Sequence, residues 1–65
     1  MKVRYFPDTD TLLITLSEKG IAETRDLTEN ILVELDKDGQ LVSMTLEHAT
    51  QQTDIREFSF QQVAT

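Results

Sequence analysis

The residues best equipped for chemistry are acidic: Asp8 and Asp10 in Pro7-Asp8-Thr9-Asp10, Asp36 and Asp38 before Gly39, and Glu47 beside His48. Asp-x-Asp spacing resembles the opening of a calcium loop, where alternate side chains offer oxygens to one hard cation. Such a loop also needs a glycine at its sixth position and a bidentate glutamate at its twelfth. Counted from Asp8, position six is Leu13, inside an apolar run. The Asp36 segment carries its glycine at position four, where a hairpin turn wants one. Turn chemistry is the better reading of both, so no metal and no cofactor is expected. His48 is the single histidine and could serve as a general base or a lone metal ligand. It follows Glu47 at the end of an alternating run, where adjacent side chains point to opposite faces. Cysteine is absent, no serine stands in a nucleophile elbow, and neither Gly20 nor Gly39 opens a phosphate-binding helix. A non-enzymatic protein is expected.

One polar constellation stays open. Asp8, Asp10, Arg25, Asp26, Glu47 and His48 could form a surface site if the fold gathers them. Asp8, Asp10, Glu47 and His48 would then make a small metal- or ligand-binding protein.

The elements that must position these residues alternate with period two. Leu12, Ile14 and Leu16 alternate with Thr11, Thr15 and Ser17; Ile31, Val33 and Leu35 with Glu34 and Asp36; Val42, Met44 and Leu46 with Ser43, Thr45 and Glu47. That pattern predicts strands with one buried and one wet face. Val3 and Tyr5 make a shorter first strand, and residues 21–27 a strand whose Glu23, Arg25 and Asp26 suit a sheet edge. Pro7-Asp8-Thr9-Asp10, Lys19-Gly20 and Asp38-Gly39 read as turns, the last as a hairpin in which both positions tolerate positive φ. The fold class is mainly β: a single five-stranded antiparallel meander with a short C-terminal helix or turn covering one face. Thr50-Gln51-Gln52-Thr53 reads as a loop. Asp54 with Glu57 and Ser59 with Gln62 have capping-box spacing, whereas Phe58 and Phe60 alternate as in a strand, so residues 54–65 fit either element. Ile55, Phe58 and Phe60 would be the lid.

Sixty-five residues make one domain, residues 1–65. A chain this short buries only about 60% of its unfolded surface. Without cysteine it has no disulfide or zinc-thiolate staple, which leaves association as the remedy. Phe6, Leu13, Leu32 and Leu41 lie on the opposite parity from the core residues and are the expected oligomer face, a homodimer being favoured. The twelve acidic and six basic side chains leave a charge of −6. Lys2, Arg4, Lys19, Arg25, Lys37 and Arg56 are scattered, so nucleic acid is not an expected partner. Acidity suits solubility, or attraction to a small basic protein. The longest apolar runs, residues 12–14 and 31–33, fall far short of the roughly 20 residues of a membrane span. A soluble, cytoplasmic chain is expected.

Tyr5-Phe6-Pro7-Asp8-Thr9-Asp10-Thr11-Leu12 with Ile14 resembles the opening signature of a family of small bacterial proteins, domain of unknown function 2283. Glu23-Thr24-Arg25-Asp26-Leu27 with Glu29-Asn30, then Thr45-Leu46-Glu47-His48-Ala49, then Thr53-Asp54-Ile55 with Phe58-Ser59 and Gln62-Val63-Ala64 resemble its later blocks. Leu13 stands where that opening motif often has an aromatic. The resemblance implies a compact β-rich fold with no established activity. It also implies, through neighbouring ribonuclease-like toxins, an antitoxin-like role for some members.

Overall fold

A computed structural model describes residues 1–64. Five strands, β1 (Lys2–Phe6), β2 (Thr11–Thr15), β3 (Glu23–Thr28), β4 (Ile31–Leu35) and β5 (Leu41–Glu47), precede one helical turn, α1 (Ala49–Gln52). All neighbours are antiparallel, in the meander-like order β1-β2-β5-β4-β3. Hairpins join β1 to β2, and β3 to β4 to β5. Between β2 and β3 the chain crosses the sheet instead of turning at Lys19-Gly20. The crossover is held to the strand ends it passes: the Leu16 and Ser17 amides donate to the Val42 carbonyl at 2.8 and 3.3 Å, and Ala22 N–H donates to Leu35 O at 2.8 Å.

Side-chain distribution explains this order. Pairing β2 with β5 sets Leu12 opposite Leu46 and Ile14 opposite Met44, so the most apolar strands lie inside the sheet. The charged strands take the edges, where unpaired backbone can meet water. Register then defines the faces. One row runs Val3, Ile14, Met44, Val33, Arg25, and the next Tyr5, Leu12, Leu46, Ile31. Across the sheet, a row runs Arg4, Leu13, Thr45, Leu32, Asp26. The first face is apolar except at its β3 edge, and the second is mixed.

The hairpin turn at Asp38-Gly39 is wider than its dipeptide suggests. Gly39 alone of the two has positive φ, at 80°. Buried Asp36 closes the loop by accepting the Asp38 and Gln40 amides, both at 2.9 Å, while Lys19 Nζ stands 3.8 Å from its other oxygen. These amides, that of Gln40 foremost, hold the Asp36 carboxyl below its usual range.

After β5 the segment read as a loop contains α1, and residues 54–64 form no regular element. Asp54 starts a turn instead of a helix, its carboxylate accepting Arg56 N–H at 3.2 Å. Ile55 is half-buried and shares a cavity of about 70 Å³ with Val3, Leu12 and Phe58, at the β1–β2 end of the apolar face. Phe58 and Phe60 are largely exposed, so of the expected lid residues only Ile55 is half-buried against the sheet.

Among the described residues Val33, Val42 and Ala49 are the buried apolar side chains. Accessible surface is 5311 Å², against about 4,200 Å² for a folded monomer of this mass. The molecule measures 36 × 33 × 18 Å. One sheet layer dominates it. Val33→Ala removes two methyl groups from a buried point of that layer, a loss of about 2 kcal/mol. Tm by circular dichroism should fall by about 10 °C, since 1 kcal/mol is worth about 4–8 °C in so small a domain.

Candidate functional site

The end of the sheet where β1 turns into β2 and β5 meets α1 gathers the polar residues that interact most. Asp10 closes the first turn in the left-handed region, φ 54°. Asx residues and histidine tolerate that region best among side chains other than glycine. In this conformation its carboxylate Oδ1 accepts the Tyr5 hydroxyl at 2.6 Å and Thr50 N–H at 3.1 Å, while Oδ2 accepts the Thr50 hydroxyl at 2.8 Å. Its carbonyl accepts Ala49 N–H at 2.9 Å. Asp10 therefore caps a helix forty residues away, a service that His48, at the helix start, does not perform with its own side chain.

These bonds set the electrostatics. The Tyr5 hydroxyl, then the Thr50 hydroxyl and amide, hold the Asp10 carboxyl below its ordinary range, and charge on His48 adds to the effect. Partial desolvation opposes them and loses. The same bond raises the Tyr5 phenol.

His48 also adopts φ 54°, which turns the chain out of β5. Its ring Nδ1 lies 2.9 Å from Asn30 Oδ1. Glu47 is exposed; its backbone N–H donates to Asn30 O at 2.8 Å and its carbonyl accepts Gln52 Nε2 at 2.7 Å. The Glu47 side chain shares a row with Thr11 on the mixed face.

Of the six residues read as a polar site, Asp10, Glu47 and His48 meet at this junction. Asp8 is exposed in the adjoining turn. Arg25 and Asp26 lie on edge strand β3, three strand spacings from β2, about 14 Å. They also point to opposite faces, Arg25 in the Val33 row and Asp26 in the Leu32 row. Arg25 pairs through both Nε and a terminal nitrogen with Glu23, which holds the Glu23 carboxyl low and the guanidinium high. The six are not one site. Among the described residues no three His, Cys, Asp or Glu side chains could hold a metal ion. Tyr5, Asn30 and Thr50 complete the junction, and local spacing gives no sign of them because each comes from a different element. A broad groove beside Tyr5 runs along residues 50–56.

The surface patch is likewise divided. Leu13 and Leu32 flank Thr45 on the mixed face, and Phe6 lies in the Thr11 row of that face. The bulge between Glu34 and Leu35 aligns Leu41 with Leu35 and separates it from the other three.

Together these features define a single-layer antiparallel sheet protein whose first turn and C-terminal helix are locked by one carboxylate. The chain belongs to the family described as Protein of unknown function (DUF2283), whose model matches residues 2–49. The matched region ends at Ala49, the fully buried residue at the start of α1. No curated protein and no solved structure gives a significant match. No helix among the described residues is long and apolar enough to cross a membrane.

The folded Asp10 carboxyl titrates below its unfolded value, so ionised Asp10 stabilises the fold above the unfolded value. That contribution is lost as pH falls through the folded one. Asp10→Asn tolerates the same φ and removes the charge. It should melt below the wild type at neutral pH, with the gap closing below about pH 4 when Tm is followed against pH. A gap independent of pH would contradict the lock. At position 48, Gly should outlast Ala by about 1 kcal/mol in urea unfolding, since Ala bears the left-handed backbone cost and Gly does not.

Proposed function

We propose that this protein acts by binding protein and not by catalysis, and that its first partner is a second copy of itself. One observation carries the reading. Val3, Tyr5, Leu12, Ile14, Ile31, Met44 and Leu46 share a sheet face and keep part of their surface accessible, Val3 exposed and the others half-buried, around the buried Val33. The accessible surface exceeds that of a folded monomer of this mass by about 1,100 Å², an excess to which the exposed residues 56–64 contribute along with the sheet. This face supports association better than Phe6, Leu13 and Leu32, whose row neighbours are threonine and charged residues. The junction supports a structural role for its polar groups, because the Asp10 oxygens are spent on Tyr5 and Thr50.

A second reading rests on charge. Edge strand β3 is exposed along its whole length and carries Glu23, which is paired with Arg25, and Asp26, with Glu29 in the turn beyond. An antitoxin-like module that binds a basic ribonuclease-like protein would present such an edge. Co-expression with such a protein, scored by growth and co-purification, tests that alternative.

Self-association is tested by sedimentation velocity over a range of concentrations. A dimer mass is expected. Met44→Asp should shift it toward monomer, and Leu13→Asp, on the mixed face, should not. A wild-type chain that stays monomeric at high concentration overturns the reading.

A further inference from the structure

The C-terminal segment beyond α1 has a composition and an exposure that its own chain does not use. Phe58, Phe60 and Val63 are 66%, 74% and 69% exposed. Residues 58–64 contain no charged side chain, in a chain of net charge −6. They form no helix or strand, yet Phe58 and Phe60 alternate like residues that lay one face on an apolar surface. The segment leaves its own sheet at the corner where Ile55 and Phe58 meet Val3 and Leu12. The rest of the apolar face lies beyond that corner, toward β5 and β4.

Resting on the self-association proposed above, we infer that residues 58–64 are an exchanged arm: the arm of each protomer lies across the apolar face of the other. Length permits it. Seven residues extend about 23 Å, and five strands span about 19 Å from first to last, so one arm can cross a partner's sheet from edge to edge. Charge favours it, since an uncharged arm approaches a second acidic chain without adding repulsion. Chemistry matches, because phenylalanine side chains meet Ile14, Met44 and Leu46, which are only half-buried, and bring no buried polar group that needs a partner. Exchange is reciprocal, as closed two-fold association requires, so each arm covers one face and none is left over.

The natural absence of cysteine makes the test clean. One copy carries Phe60→Cys, another Met44→Cys, and the two are mixed, refolded together and oxidised. A covalent heterodimer of the two variants is expected on a non-reducing gel. In the Phe60→Cys/Met44→Cys double variant, closure of the disulfide within a monomer would overturn the inference by placing the arm on its own sheet. Independently, Phe58→Ser and Phe60→Ser should each weaken the dimer about tenfold in sedimentation equilibrium, with the β circular dichroism signal unchanged. A wild-type dimer unaffected by both substitutions and giving no cross-link removes the exchanged arm while leaving self-association standing. A monomeric wild type removes both.

Discussion

The structure turns on the Asp10 carboxylate. A left-handed residue at the end of the first turn presents two oxygens to three donors that come from β1 and from the start of α1. Tyr5 is fixed by being in the strand before the turn, but Thr50 is brought in only because His48 reverses the chain after β5. The helix has a single turn and could not persist alone, since nucleation costs more than one turn of hydrogen bonds returns. Its first amides are satisfied by Asp10 instead. Through that contact the C-terminal segment is turned back toward Val3 and Leu12, at the β1–β2 corner of the apolar face.

The second constraint is economy of layers. Domains bury an apolar sheet face against another layer, and a helical turn of four residues with a short irregular segment is too little for five strands. Strand order makes the most of what there is. With β5 inserted between β2 and β4, Val33, Val42 and Met44 are flanked on both sides, while the charged strands stand at the edges. The price is the crossover of residues 16–22, held by backbone bonds to Val42 and Leu35.

Much of this was legible. Period-two alternation located β2, β4 and β5 within a residue or two, because a half-buried strand imposes that pattern directly on side-chain polarity. The edge character of β3 followed from Glu23, Arg25 and Asp26. The motif blocks around Tyr5–Leu12 and Glu47–Ala49 identified the family that the profile match shows. Other features were hidden for specific reasons. Parity alone groups Leu41 with Leu13 and Leu32; the bulge that sets it opposite Leu35 adds a residue without altering the pattern, and pairing alone reveals it. Asp10 and Asp26 seemed equally eligible for one polar site, since charge says nothing of which strands will be adjacent. Thr50-Gln51-Gln52 read as a loop because the group that caps its helix lies forty positions away.

By itself the sequence determined the strands, their inner and outer faces, the edge strand and the family, all of which depend on residue type at short range. Tertiary structure alone decided that β5 lies beside β2, that Asp10 and not His48 caps α1, and that Arg25 and Asp26 stand apart from the junction. Each of these is a contact between segments distant in the chain. Local polarity cannot encode them, because many pairings satisfy the same alternation and only the one that best buries Leu12, Ile14, Val33, Met44 and Leu46 together is formed.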